Sequence, residues 1–578
     1  MKKAVVVLML LLVALYAANK NNTQVQTVLP KTDDDRIQTM GTPVARPNTV
    51  NPNAGDLILG RQEVIGYTTL DWQLNGAIDN RCHYDATANG IHCLWMWSAG
   101  APATDRNERY NFYDFATHAW NWPDGINVYT TRSGFGAIDY NPISGCAYTA
   151  THQGSTGAIN SYLARDQAPG AGLFEYHPAL TALEWPYISV DHNQAAHVAA
   201  INCVDQDSLW YARSNPWGTW STPIRIPSPG ASPMFPTQNI AASKTSNKVI
   251  IVWNCSDDPY PERAFYRLST DGGVTWNTQT QIPFPPSINM TPAYNVSSLF
   301  AMFDAADNFH IVASVAETSF TIPAEIWHYC PTNTPRWTLV HRYDHTGALT
   351  ASPGYNALFA TRPSIIQDQT DPSVFYVAWE QFDSLNYEPI TNLARSEICL
   401  AQLTNNGTTV ARKSTITDPN TTSKRFPCVG GIKDDTIFVM YIIDSIAGFE
   451  NYTQGPATRN PVILHRVYKN DLHIVTGVEE NQTGNYHRLD LISATPNPSN
   501  LTTNITYSLN KTADINLTIY DVLGRPIRTL VSGTRAAGEY NIIWDGRDAN
   551  GRRAQAGIYF YTMKTCDKSI SRKLIRTN

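Results

Sequence analysis

Charged side chains are scarce in this chain of 578 residues: they make up 16% of it, against roughly 25% in a typical soluble domain. Neither sign dominates. There are 43 Lys and Arg and 49 Asp and Glu, a net charge of −6. No nucleic acid partner is expected from that balance, because such binding needs a basic footprint. The sequence has no Gly-rich phosphate loop, no His-Glu-x-x-His and no Gly-x-Ser-x-Gly elbow, so those phosphate, zinc and serine chemistries are not indicated. None of the nine cysteines forms a Cys-x-x-Cys pair. His341 and His345 lie four apart in a loop region, which is poor metal spacing. No metal and no cofactor are expected. Apart from the N-terminus, no run is long and apolar enough to cross a bilayer.

Aromatic and turn-forming residues are plentiful, with 15 Trp, 29 Tyr, 34 Gly and 36 Pro. That mixture fits short strands joined by tight turns. Lys2 and Lys3 precede an apolar run from Ala4 to Ala18, and Asn19-Lys20-Asn21-Asn22 is abruptly polar. Residues 1–18 therefore read as a secretory signal peptide cut after Ala17 or Ala18, too short for a membrane anchor. Residues 19–54 read as a disordered leader. Export permits disulfides. Cys82 and Cys93 flank a predicted turn at Asp85–Gly90 and could lie across a hairpin, while burial as small apolar residues is the equal alternative for all the cysteines.

The middle of the chain repeats every 50–60 residues. The mark is an aromatic, nine residues, then Trp: Tyr110 to Trp120, Trp210 to Trp220, Tyr266 to Trp276 and Trp327 to Trp337. Each mark follows an apolar run, at His92–Trp97, His197–Asn202, Val249–Trp253 and His310–Val315, and each run follows a turn. Two further units, 362–410 and 425–475, lack the Trp. Four strands per unit describe a propeller blade. The expected fold is all-β: a β-propeller over residues 55–475, with blades starting near 76, 133, 186, 236, 295, 358 and 424. Seven blades are counted. Six is the alternative, because the unit at 133–185 is the least regular. Leu57–Trp72 precedes the first blade and is placed to supply the outer strand of the last.

One copy of the mark reads Ser269-Thr270-Asp271-Gly272-Gly273-Val274-Thr275-Trp276. It resembles the Asp-box repeat of the sialidase-like propellers. Asp271 is suited to accept backbone N–H groups, Gly273 to take a positive φ, and Trp276 to fold over the turn. Such a box staples a hairpin. The resemblance implies a place between the third and fourth strands, on the face away from an active site.

Composition changes after residue 490. Residues 491–578 hold twelve Lys and Arg against six Asp and Glu. Hydrophilic residues 476–490 read as a linker. Short strands at Ile505–Leu509, Ile515–Tyr520, Gly538–Trp544 and Gly557–Lys564 indicate a small immunoglobulin-like β-sandwich. Pro496-Asn497-Pro498, Tyr520–Arg525 with Gly524 and Arg525, Gly538-Glu539-Tyr540, Trp544-Asp545-Gly546 and Gly557-Ile558-Tyr559 follow in order. Together they resemble the C-terminal sorting domain of type IX secretion cargo. The Trp-Asp-Gly part is also similar to the immunoglobulin-like domain of flagellar hook-capping proteins. The resemblance implies passage to the bacterial outer surface or beyond, with the secretion machinery of the outer membrane as partner. An accessory sandwich without a sorting role is the alternative.

Long loops on one face of a propeller usually carry its function. They are expected at Ser98–Glu108, Asn254–Arg263, Glu380–Ser396 and Asp444–Pro461. Arg81, Arg362 and Arg425 fall at the starts of first strands in blades one, six and seven, which become neighbours when the ring closes. Three guanidinium groups there could hold one anion, as the Arg triad of the resembling sialidases holds a carboxylate. Pairing with nearby acids is the structural alternative. Glu317, Glu380, Asp383 and Asp444 are the acids that could share the face and act as catalytic carboxylates. Three functions follow: an exported propeller binding a carbohydrate or other surface polymer, an exo-glycosidase of the sialidase type, or a structural and adhesive surface protein.

Overall fold

The computed structural model describes residues 58–577, apart from 75–79, 102, 155–157, 205, 207, 227–236, 257–261, 287–293, 318–321, 345–348, 476–489, 510–511, 523, 537 and 566–568. The signal peptide and leader expected at 1–54 lie outside the described residues, as does nearly all of the expected linker. The chain divides into two compact units, one ending at Val478 and one beginning at Glu479.

The first unit is a seven-bladed β-propeller. Its first strands are Cys82–Asp85, Gly134–Tyr140, Leu183–Val190, Gln238–Ala242, Tyr294–Phe303, Ala360–Gln367 and Ser423–Lys433. Each opens an antiparallel sheet whose strands pair in chain order. The least regular unit, at 134–181, forms a full blade. The ring closes as expected: Arg61–Thr68 is the outer strand of blade seven and pairs antiparallel with Asn460–Tyr468. Adjacent blades pack through their first strands, and blade seven meets blade one in the same way.

A polar relay recurs inside alternate blades. In blade three the Asp191 carboxylate caps the first turn by accepting the Asn193 and Ala195 N–H groups. It also lies 3.2 Å from His197 Nε2, whose Nδ1 is 2.8 Å from the Tyr211 hydroxyl. Asp304, His310 and His328 repeat it in blade five. Blade one keeps only part of it: His92 Nδ1 lies 2.7 Å from the Tyr110 hydroxyl, while Asp85 Oδ2 and His92 Nε2 stand 3.7 Å apart without a hydrogen bond. In blades three and five one acid thus fixes a turn and ties the first two strands to the third, satisfying buried polar groups inside an apolar sheet.

The Asp-box lies between the third and fourth strands of blade four. The Asp271 carboxylate accepts the backbone N–H groups of Val274 and Thr275 at 3.1 and 2.8 Å, and the Ser269 hydroxyl accepts that of Gly273. Trp276 packs edge-on against Tyr211 of the preceding blade, ring centroids 4.8 Å apart. Gly273 sits at φ +77°, and a Cβ there would stand 1.7 Å from the Tyr211 hydroxyl. The box therefore clips two blades together as well as closing a hairpin.

Two expectations are corrected. His341 lies buried in the strand Trp337–Tyr343 and not in a loop. Glu380–Ser396 is not a loop. Strands Phe375–Glu388 and Leu393–Thr404 continue through it as a long hairpin, with Phe382 opposite Ser396 and a register shift between Asp383 and Tyr387. The strands absorb the irregularity in register without ending the pairing.

The second unit is a sandwich of a three-stranded sheet (Asp490–Thr495, Thr503–Leu509, Gly538–Trp544) and a four-stranded sheet (Pro526–Arg535, Ala513–Asp521, Gly557–Lys564, Ser569–Arg576). Tyr507, Leu517, Ile519, Trp544 and Met563 fill its core. The ordered motifs are its staples. Asp521 accepts the Arg525 N–H at 2.9 Å. The Trp544 indole donates to the Arg547 carbonyl, and the Tyr559 hydroxyl donates to that of Gln555. Asn497 Oδ1 accepts the Ile575 N–H, joining the first motif to the last strand.

Gly273→Ala should destabilise the propeller more than Asp271→Ala. The first meets both a positive φ and a collision, and the second loses turn hydrogen bonds worth about 1–2 kcal/mol. Urea unfolding checks the order; an equal or reversed pair would show that the interblade contact does not contribute.

Candidate active-site mouth

The first strands of blades two, three, five, six and seven share a bulge. It places Phe135, Trp185, Ser298, Arg362 and Phe426 at φ between 49° and 58°. A bulge re-aims the side chains around it. In blades six and seven it sets the predicted arginines.

Arg362 and Arg425 converge on one acid, Glu380. Arg362 Nη1 donates to Glu380 Oε2 at 3.0 Å, and Arg425 Nε donates to Oε1. Arg362 Nη2 also reaches the Asn356 carbonyl. Arg81 does not join them on that acid. It pairs with Glu108 at 3.2 Å and donates to the Gln73 carbonyl at 2.8 Å. Glu108 in turn accepts the Gly136 N–H of blade two. All three arginines are buried, at 4%, 0% and 2% exposure for Arg81, Arg362 and Arg425. A cavity of about 10 Å³ beside Arg81, Trp95 and Phe426 holds no more than one water.

The acids separate by environment. Asp444 ends the second strand of blade seven and is buried beside Asp71, which lies on the segment following the closing strand. The Asp71 carboxylate accepts the Glu450 N–H at 2.9 Å. Burial lifts the Asp71 pKa to about 7; that N–H and Arg425 oppose the rise, and repulsion from Glu450 adds to it. Burial and then repulsion from Asp71 push Asp444 well up, against Arg425. Burial raises Glu450 as well. Asp444 Oδ2, Glu450 Oε1 and Arg425 Nη2 make no hydrogen bond. Asp383 stands apart, at the register shift within its strand, where its carboxylate accepts the Leu385 N–H. Glu317 ends the second strand of blade five, and its side chain lies outside the described residues.

Aromatic rings roof this polar knot. Trp72 packs on Phe135, Tyr452 and Phe449 at centroid distances of 5.0, 4.8 and 6.3 Å. Arg425 lies 4.6 Å from the Phe449 ring. Tyr452 stacks on Tyr355 at 3.9 Å, and these two rings are half-buried. Asp71, Trp72, Glu108 and Glu450 were not singled out from the sequence. Asp71 and Glu450 are isolated acids on connecting segments, which look solvated until the fold brings them inside, and Glu108 lies on the strand Asn107–Asp114. Among the described residues, no group of three or more His, Cys, Asp or Glu is placed to hold a metal ion.

Residues 497–569 match the FlgD Ig-like domain family. No curated protein matches the chain by sequence. The chain resembles a solved polysaccharide lyase, an ulvan lyase bound to -[GlcA(1-4)Rha3S]-, at 9% identity over 71% of this chain and 96% of that one, TM-score 0.47. It also resembles a Penicillium chrysogenum α-L-arabinanase complexed with arabinobiose, at 11% identity over 61% and 100%, TM-score 0.41. A Hadza microbial sialidase matches at 12% identity over 64% and 74%, TM-score 0.33. Likenesses of this size concern the fold and not the chemistry.

Two outcomes follow from the knot. Glu380→Gln leaves two buried guanidinium groups short of a counter-charge and should cost about 3–5 kcal/mol in urea unfolding; a loss below about 1 kcal/mol would show that the clamp is not holding the blades. Asp71 holds its proton more tightly when folded than its usual value of 3.8 implies. Its stabilising contribution is therefore full below about pH 4 and is lost as pH rises through about 7. Asp71→Asn should flatten that fall in Tm relative to the wild-type chain; parallel Tm curves would remove the assignment.

Proposed function

We propose that this chain is an exported bacterial propeller that binds a carbohydrate or similar surface polymer at the axial mouth. The half-buried Tyr355–Tyr452 stack carries this reading. Two flat rings from separate connections stand over a polar floor, the combination of apolar face and few polar groups that ligand sites favour. The three arginines support binding over sialidase-type cleavage of an acidic sugar, because each is already paired with Glu380 or Glu108. Hydrolysis remains the second reading on one observation: Asp71 and Asp444 are carboxyls whose pKa values burial raises, as a general acid requires.

Glycan-array screening of the purified chain, followed by titration of the best hit, tests the site. Tyr452→Ala and Tyr355→Ala should each weaken binding about tenfold or more at a temperature where Tm shows the variant still fully folded. Unchanged affinity would move the ligand elsewhere. Turnover by the wild-type chain that Asp444→Asn abolishes would establish the enzyme reading instead.

The second unit is proposed to be the sorting signal for the outer membrane machinery. The residues carrying the resemblance are mostly internal staples, so recognition would fall to its surface. Ile558 and Phe560 are exposed there, with Lys573 directly opposite Phe560 on the neighbouring strand. Removal of 491–578 should leave the propeller in the periplasm. Normal surface display of the truncated chain would leave the unit an accessory sandwich.

A further inference from the structure

Cys82 and Cys93 face each other across the first hairpin of blade one. Their sulfurs are 3.7 Å apart, and both residues are fully buried. The Leu94 N–H donates to the Arg81 carbonyl at 2.8 Å. The hydrogen-bonded rung is therefore the adjoining one, which makes Cys82 and Cys93 a non-hydrogen-bonded pair. In such pairs the opposing Cα atoms lie about 4.5 Å apart and the side chains converge. That separation falls inside the range a disulfide bridges, roughly 4.4–6.8 Å.

The remaining described cysteines have other neighbours. Cys428 Sγ accepts the Arg81 N–H, Cys330 lies against the Thr332 hydroxyl, and Cys399 against that of Thr415. A Cβ on Gly430 of blade seven would stand 2.3 Å from Cys82 Sγ. The sulfur pair thus sits at the seam between the first and last blades, and its flanking residues, Arg81, Leu94 and Trp95, line the small cavity beneath the mouth.

We propose that Cys82 and Cys93 form a disulfide in the exported protein. Two thiols lose two protons and two electrons, one S–S bond forms, and the disulfide of a dithiol oxidase is reduced to two thiols. Burial dictates the timing, since no oxidant reaches these sulfurs once blade seven packs against blade one. The bond forms while the hairpin is still open and is then sealed from reductants. It fixes the hairpin that supplies one wall of the seam, and with it the position of Arg81.

This inference rests on export, and the test separates the two. The full chain is produced in an oxidising periplasm with a heterologous leader in place of residues 1–18. The purified protein is denatured with an alkylating maleimide and digested without reduction. The expected result is a cross-linked peptide pair containing Cys82 and Cys93, with Cys146, Cys203, Cys330 and Cys399 alkylated. Reductant present during thermal unfolding should lower Tm by about 3–6 °C, a change absent from Cys82→Ala/Cys93→Ala. Alkylation of Cys82 and Cys93 in most molecules, or a Cys82–Cys428 link, would overturn the proposal. Should the double variant not fold, the peptide map alone decides. Because the leader is supplied, a failure of the natural signal leaves this readout intact.

Discussion

Closure of the ring is the constraint on which the rest depends. Arg61–Thr68 pairs with Asn460–Tyr468 across nearly 400 residues of sequence, a contact whose loop-closure cost is met only when the intervening blades are in place. Gln62 seals the join by donating to the Tyr441 hydroxyl at 2.7 Å. Having closed blade seven, the chain must cross the mouth to begin blade one. It is stitched down on the way: Thr69 N–H donates to the Ser98 carbonyl, and Gln73 exchanges hydrogen bonds with the backbone of Met96. That crossing places Asp71 against Glu450 and Trp72 against Phe135, Phe449 and Tyr452. The mouth is assembled by the same step that makes the propeller a ring.

The charges beneath the mouth follow from that enclosure. Two guanidinium groups share Glu380, which leaves one positive charge uncompensated in an apolar setting. Asp71 and Asp444 both interact with Arg425, and one ionised carboxyl between them completes the balance. A second ionisation would place like charges side by side with little solvent. The two therefore titrate as a pair, with one proton retained well above the usual carboxylate range. Removing either sign from such a knot costs more than the intact interactions contribute, because the partner stays buried without compensation.

Much of this fold is legible in the sequence, because repeats expose it. Turn residues and apolar runs recur at a fixed period, so blade starts near 133, 236, 295 and 424 fall within two residues of the strands at Gly134, Gln238, Tyr294 and Ser423. The closing strand is readable as the segment Leu57–Trp72 ahead of the first blade, placed to supply the outer strand of the last. The polar relays were half visible: the turns and the strand histidines stand out, but the Asp-to-His spacing means nothing until the sheet brings them together. The candidate site was less legible. Arg362 and Arg425 fall at first-strand starts that the repeat predicts, whereas Glu380, expected at the start of a loop, lies on a second strand. Asp71 and Glu450 lie on connections, where no periodicity says which side chains turn inward. Asp383 shows the converse: its chemistry suited catalysis, but the local chain uses it at a strand irregularity, where it accepts the Leu385 N–H.

The same clamp bears on how a ligand would meet this surface. A guanidinium pair recognises a carboxylate by presenting parallel N–H donors to its two oxygens. Glu380 supplies such a carboxylate from within, with Oε1 and Oε2 taken by different arginines, and Glu108 does likewise for Arg81. The interior is self-complementary in the way an occupied anion site is. A free acidic ligand would have to displace a covalently tethered one whose effective concentration no dissolved sugar matches. Under the binding proposal, recognition falls to groups nearer the solvent than these charges. At the mouth those are the part-buried rings of Tyr355 and Tyr452, which stack on each other, with Tyr452 packed on Trp72 and Phe449. The buried charges lie beneath these rings, and selectivity would come from the shape of the stack.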